Sequence, residues 1–495
     1  MAYRDFQEFL LRLEQEGELK RIRYPLDPYL EITEVADRVM KSGGPGLLIE
    51  RPKGYDIAVA INTMGSKRRM SLALGVEDYE TIAQEIDALL KPELPQMGGG
   101  LLGKLRALPE VMPQLGRLLQ VARSVPPTTV KEGISQEVVK TGDQIDLFEF
   151  PILHCWPQDG GRYITLPLVF THDPNTGKRN VGMYRIQVLD KRTTAMHWQI
   201  HKVGAEHYQH AEKRGEPIQV AVVLGDDPAL TFSAIAPLPP AIDELMFAGF
   251  LRKKPVELVP AKTVDIKVPA NAEIVIEGYI NPGERCLEGP FGDHTGYYSL
   301  ADYYPVFHVT AITHRAKPVY PATIVGIPPM EDGWMGKAVE RIFLPLVRLT
   351  VPEIVDMNLP VEGVFHNFCF VSIRKRYPGH AFKVMNAIWG LGQLMFSKFI
   401  VVFDEDVNVH DLGEVIWRLG ANVDPERDTL IVQGRNDQTV DPRSAEQILR
   451  HIGSIDRQLI WMEGYGHQLL VGDGGERTVR TIMAWIQNDN AGRGM

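Results

Sequence analysis

The chain of 495 residues carries 53 basic and 63 acidic side chains, 44% hydrophobic and 23% charged residues, a composition of a globular enzyme that needs two or three cores. A formal net charge of −10 without any basic cluster excludes a phosphate-backbone partner such as nucleic acid, and apolar runs as short as Phe399–Phe403 exclude a bilayer-spanning helix. Three cysteines, Cys155, Cys286 and Cys369, lie far apart with no Cys-x-x-Cys pair, so they neither staple the fold nor make a zinc site by themselves.

The opening Met1-Ala2-Tyr3-Arg4-Asp5 lacks a signal-peptide core, which leads us to expect a cytoplasmic protein. Phe6, Phe9, Leu10 and Leu13 fall on one helical face and Leu47–Glu50 reads as a short strand, so the N-terminal part is expected to be a compact α+β domain. Gly- and Pro-rich residues from Pro95 to Gly103, followed by Val125-Pro126-Pro127, mark a linker. Strand-like runs then come at short intervals, Tyr163–Phe170, Gly182–Val188, Val220–Leu224 and Glu273–Tyr279, with a helix near Ile242–Leu251. This spacing predicts a small barrel or sandwich rather than a parallel sheet. From Met335 the pattern changes. Met335, Val339, Ile342, Phe343 and Leu346 form a helix face, Phe368–Ile373 a strand, Ala381–Met395 a helix and Phe399–Phe403 a strand, the order of a layered α/β domain. The fold class is therefore α/β in a mixed α+β multidomain chain, with domains at 1–115, 116–320, 321–433 and a tail at 434–495. Asp404-Glu405-Asp406 and Lys383 are read as solvated, and Met385–Met395 as core spacing.

The chemistry concentrates in Glu288-Gly289-Pro290-Phe291-Gly292-Asp293-His294-Thr295-Gly296-Tyr297-Tyr298, where two carboxylates stand five residues apart on a loop able to turn sharply. Crowded carboxylates repel, so one is expected to titrate high and hold a proton. A second cluster begins at Asn180-Val181-Gly182-Met183-Tyr184-Arg185. Asn180 and Arg185 bound a strand-like run and would occupy opposite faces unless a bulge or bend intervenes. His201 follows, and Glu244 heads a predicted helix. An amide oxygen, an imidazole and a carboxylate make a mostly hard ligand set suited to manganese or magnesium.

These motifs together resemble the UbiD family of aromatic-acid decarboxylases, which use prenylated FMN. The resemblance runs to about residue 433 and rests on Asn180-x-x-Met183-Tyr184-Arg185, His201, Glu244, Glu288–Asp293, Pro328-Pro329-Met330-Glu331-Asp332 and Asp404-Glu405-Asp406-Val407-Asn408. Gln15–Lys20 and Leu30–Glu34 look most like the quinone-pathway branch, whose members decarboxylate 4-hydroxy-3-polyprenylbenzoate or a related menaquinone precursor. The resemblance implies a central split β-barrel that binds the flavin. It implies that Asn180, His201 and Glu244 hold manganese, with or without potassium, against the cofactor phosphate, and that Met183, Tyr184, Arg185, His197, Trp198, Gln199, Lys202 and Val203 line the flavin site. His197 and Lys202 stand where arginine often occurs, so forked contacts are lost there. Asp293 is expected to return the proton to the ring, with Glu288 and Arg185 as its supporting pair. A cofactor is required because no side chain is an adequate electron sink for the departing carboxyl group. A flavin prenyltransferase would supply that cofactor, an aromatic acid would be the substrate, and a membrane-soluble substrate would call for weak peripheral contact with lipid.

The tail looks like the closing segment of an α/β-hydrolase, with Asp437 as triad acid and His467 as base. A Gly-x-Ser-x-Gly elbow is missing, so a carboxylesterase is the weaker alternative; a non-catalytic flavin-binding subunit is another. UbiD relatives usually end in a helix reaching onto a neighbouring subunit, so a homo-oligomer is expected unless the altered tail disrupts it.

Overall fold

A computed structural model describes residues 2–90, 126–239, 242–422, 429–436, 442–451, 457–465, 469 and 473–492. It divides into two compact units, Met1–His410 and Asp411–Met495. Helix Phe6–Gln15 starts on the Asp5 carboxylate, which accepts from Glu8 N, and buries the predicted face of Phe6, Phe9, Leu10 and Leu13. Strand Gly46–Ile49 lies between Leu19–Ile22 and Ala58–Ile61. Strand Val319–Ala322 then adds in parallel to Ala58–Ile61, so a segment from the far end of the central region completes the N-terminal sheet. The expected linker at Pro95–Gly103 falls outside the described residues.

The centre of the first unit is a nine-stranded, curled sheet in which every pairing is antiparallel, as the short strand spacing predicts. Its two longest strands, Ile274–Glu288 and Asp302–His314, pair along most of their length. Three expectations need correction. Tyr163–Phe170 is two strands, Arg162–Ile164 and Leu168–His172. Gly182–Val188 is likewise broken, with Arg179–Gly182 and Ile186–Val188 separated by Met183-Tyr184-Arg185. The strand expected to stop at Tyr279 continues to Glu288 through a register shift between Ile280 and Arg285, so Glu288 ends a strand instead of lying in a loop.

Helix Glu244–Arg252 is capped by Asp243, whose side chain accepts from Met246 N. Helix Glu331–Thr350 buries Met335, Ile342 and Phe343, and the sheet Ile354–Asn358, Phe368–Ile373, Phe399–Asp404 follows it. Behind it, helix His380–Trp389 buries Val384 and Ile388, while Met385 and Met395 are only half-buried. Asp404–Asp406 is exposed, and Lys383 pairs with Glu353 at 2.7 Å. In the second unit, parallel strands Thr429–Gly434 and Arg457–Met462 alternate with helices Arg443–His451 and Asp473–Gly492. Asp437 and His467 lie outside the described residues. Among the described residues, no helix is long and apolar enough to cross a membrane.

Candidate active site

The break at Met183–Arg185 turns the chain away from the ladder and places Arg185 beside the end of strand Ile274–Glu288. Nε and Nη2 of Arg185 donate to the two oxygens of Glu288 at 2.8 and 3.1 Å, a forked ion pair. Nη1 donates to Asp293 Oδ2 at 3.1 Å and Nη2 also to Ser299 Oγ at 3.1 Å. The guanidinium lies 4.6 Å from the centroid of the Phe291 ring, which covers its face. Arg185 thus stands between the two carboxylates, and Glu288 is fully buried.

The run between the acids is pinned from several sides. Gly289 N donates to Gln187 Oε1 at 2.7 Å, Gly160 N to Pro290 O at 2.7 Å, and Gly292 N to Asp159 Oδ1 at 2.7 Å. Gly289 has φ +96, a conformation that favours glycine, and a Cβ on Gly292 would come within 2.1 Å of the Trp156 ring. The glycines there serve close packing of a fixed loop.

Electrostatics correct one expectation. Neither carboxyl is raised. Burial works to raise Glu288, but hydrogen bonds from His197 and Arg185 and their charge hold it below the ordinary range. Burial likewise opposes ionisation of Asp293, and the His294 bond and charge together with Arg185 hold it well below the ordinary range. The Arg185 cation stands between the acids and offsets their repulsion. His294 Nδ1 lies 2.6 Å from Asp293 Oδ1. Burial lowers the imidazole and the Asp293 partnership outweighs it, leaving a raised pKa.

The residues expected around a flavin are distributed as follows. Tyr184 and Trp198 are buried edge to face at 6.3 Å, Met183 is half-buried, and Gln199 and Val203 are exposed. His197 turns to the acids: Nδ1 is 3.0 Å from Glu288 Oε2 and the ring lies 4.2 Å from that of Tyr304. Lys202, just before helix Val203–Arg214, is half-buried, and burial lowers its pKa. The indole Nε1 of Trp198 is a buried donor with no partner.

Of the expected metal ligands, Asn180 and Glu244 are brought together. Val181 N donates to Glu244 Oε2 at 3.0 Å, and Asn180 Nδ2 to the Tyr184 hydroxyl at 3.4 Å. That hydroxyl also accepts from Gly204 N at 3.3 Å, tying the strand to the helix that follows His201. His201 itself lies at the surface with its ring 4.7 Å from Phe396, and partial desolvation with the Lys202 charge lowers it to about 4, leaving a neutral imidazole. Glu244 is raised to about 7, first by burial. A half-buried carboxylate of this kind, a neutral imidazole, a desolvated lysine and an orphaned indole N–H are the donor chemistry that a divalent ion and a phosphate would complete. Sequence reading missed Ser299 and Tyr304 and gave His294 no role; only its adjacency to Asp293 signalled it.

Family profiles match over residues 10–89 (UbiD, 3-octaprenyl-4-hydroxybenzoate carboxy-lyase N-terminal domain), 128–328 (Rift-related domain) and 333–454 (C-terminal domain). The last runs past residue 433, where the resemblance was expected to stop. An uncharacterized protein of Archaeoglobus fulgidus is 51% identical over 467 residues, 94% of each chain. An evolved dimeric form of the UbiD-class enzyme HmfF from Pelotomaculum thermopropionicum, solved in complex with prFMN, is 31% identical with a TM-score of 0.72, covering 86% of this chain and 91% of that one. The vanillic acid decarboxylase of Sedimentibacter hydroxybenzoicus in its closed form is 28% identical with a TM-score of 0.76, covering 98% and 99%.

Proposed function

From the premise that the chain belongs to the UbiD family and is a carboxy-lyase acting on aromatic acids, we propose that it decarboxylates 4-hydroxy-3-polyprenylbenzoate or a related quinone precursor without net oxidation. The observation that carries this reading is the half-buried Arg185 held between Glu288 and Asp293. A guanidinium with one carboxylate locked in its fork and a second at its edge can exchange the second for a substrate carboxylate while keeping its orientation.

Glu288 keeps Arg185 in place and His197 keeps Glu288 ionised. Asp293, released from Arg185 by the incoming carboxylate, returns a proton to the ring carbon. Prenylated FMN, when bound, supplies the electron sink that no side chain offers. Asn180, His201 and Glu244 would hold a divalent ion, manganese by the chemistry of the set, against the cofactor phosphate, with Lys202 as a further cation and Tyr184 and Trp198 as walls. The domain limits 1–115, 116–320, 321–433 and 434–495 belong to the same proposal, as do supply of the cofactor by a flavin prenyltransferase and assembly into a homo-oligomer.

The test is reconstitution of the purified protein with prenylated FMN and manganese, followed by carbon dioxide release from a panel of hydroxybenzoates, their prenylated forms and naphthoates. Release is expected, fastest for a prenylated hydroxybenzoate. Asp293→Asn is expected to bind the flavin and lose about 100-fold or more in kcat. A wild-type rate in that variant removes the proton-donor role, and silence across the panel removes the substrate class. Turnover of p-nitrophenyl acetate is expected to be at background, since no described residue supplies the nucleophile elbow.

A further inference from the structure

Asp293 accepts three N–H groups: Arg185 Nη1 on Oδ2 at 3.1 Å, the His294 backbone N–H on Oδ1 at 2.8 Å, and His294 Nδ1 against Oδ1 at 2.6 Å. A carboxylate so occupied is held as the anion. The proton that the reaction consumes therefore resides, in this arrangement, on the imidazole and not on the acid.

The ring of His294 sits in a built enclosure. His366 packs on it at a centroid distance of 5.1 Å and Phe365 at 5.7 Å, both from the turn before strand Phe368–Ile373. That turn has positive φ at two non-glycine residues, Val364 at 55° and Phe365 at 46°. The Phe365 ring uses the room left by Gly336, where a Cβ would approach it to 2.9 Å. The charged groups facing His294 are Asp293 beside it, Asp332 from the head of helix Glu331–Thr350, and Arg185 opposing them. His366 is lowered to about 4, first by burial and then by His294, so it stands neutral beside the imidazolium. The side chain of His294 remains 30% exposed, enough to draw a proton from water.

We propose that His294 is a positioning residue that charges Asp293 with the proton it delivers, an inference that rests on the decarboxylase reading and assigns His294 no contact with substrate. The substrate carboxylate takes over Arg185 Nη1 and frees Asp293 Oδ2. The Nδ1–H bond of His294 then breaks and an O–H bond forms on Asp293. As the ring–carboxyl C–C bond breaks and carbon dioxide leaves, that O–H bond breaks and a ring C–H bond forms, and the imidazole regains a proton from water. The sum is one proton from solvent in place of one carbon dioxide.

The discriminating variant is His294→Asn, whose amide keeps a donor near the Nδ1 position but cannot titrate, with His294→Phe removing both properties. In the reconstituted enzyme His294→Asn should lower kcat about 100-fold with KM within about threefold. The alkaline limb of the kcat–pH profile, where the imidazolium is lost, should flatten. Histidine 15N titration of the cofactor-free protein gives an arm independent of turnover. His294 should titrate above the ordinary value in the wild type and move down in Asp293→Asn. A wild-type kcat and pH profile in His294→Asn overturns the inference, as does a His294 titration indifferent to Asp293→Asn. Failure of the wild type to release carbon dioxide counts against the decarboxylase reading alone, and the titration then decides this one.

Discussion

Arg185 commits Nε and both terminal nitrogens to three neighbours, Glu288, Asp293 and Ser299, and lays its plane over Phe291, so geometry as well as charge is fixed there. Lysine keeps the charge and loses the fork. Arg185→Lys is therefore expected to fold with a melting temperature within a few degrees of wild type and to lose about 100-fold or more in kcat/KM, measured on the reconstituted enzyme. Retention of the wild-type kcat/KM would mean that a point charge suffices and that the forked pair with Glu288 is only structural. The acids themselves were legible, because Glu288 and Asp293 stand five apart on a glycine-rich run. Their protonation was not. Proximity of two carboxylates predicts that one is raised, and only the fold reveals that a guanidinium from 103 positions earlier enters between them. Asn180 and Glu244 are hard donors 64 positions apart in the sequence, and the hydrogen bond from Val181 N to Glu244 ties the strand of the one to the helix of the other.

At the scale of elements, function depends on where strands stop. The nine-stranded sheet ends one strand at Gly182, and the three residues that follow carry Arg185 out of the ladder. Helices beneath it are fixed by buried polar anchors. Asp227 caps helix Pro228–Ser233 through Ala229 N at 2.9 Å, receives Tyr3 N at 2.9 Å, and pairs with Arg252 Nε at 2.9 Å, joining the N-terminal segment to two helices. Removing one partner leaves the other charge buried, so Asp227→Ala is expected to destabilise the protein by about 3–5 kcal/mol, read from urea unfolding. A loss under about 1 kcal/mol would mean that the Arg252 charge finds another partner. Helices were the most legible elements, since Phe6–Leu13 and Met335–Leu346 repeat with the helical period. Strand limits were less so. Tyr163 to Phe170 reads as one apolar run, yet Pro167, which cannot donate to a ladder, marks the break before Leu168, while the strand expected to stop at Tyr279 passes through Asn281-Pro282-Gly283 as an irregularity, with Gly283 at φ +73.

The whole molecule buries carboxyl groups that the chemistry above does not use, and these set how its stability answers to pH. Asp226, Glu273 and Asp332 are each raised to about 7, in every case first by burial, with Arg252, Val319 N and His294 respectively giving the leading partial compensation. In the unfolded chain such groups titrate near about 4, so between about 4 and 7 the folded state holds more protons than the unfolded one. Stability must then fall as pH rises through that window and level off above it. Asp173, lowered to about 2 because backbone and side-chain bonds to Asn175, Thr176 and His210 overcome burial, acts in the other direction: its contribution is complete above about 4 and is lost as pH falls toward 2. His201 and His366, lowered to about 4, oppose the first trend between about 4 and 6.5, so the net decline is smaller than the three acids alone would give. Since Asp226, Glu273 and Asp332 all belong to the unit Met1–His410, the unfolding transition of that unit is the one expected to carry the dependence. Chemical unfolding at pH 5, 6, 7 and 8 should show its free energy declining by about 2–4 kcal/mol across the series, and Asp226→Asn, which removes one of the ionising groups while keeping its size, should flatten the slope and be more stable than wild type at pH 8. A free energy that rises from pH 5 to 8 would show that ion pairing, not burial, governs these carboxyls.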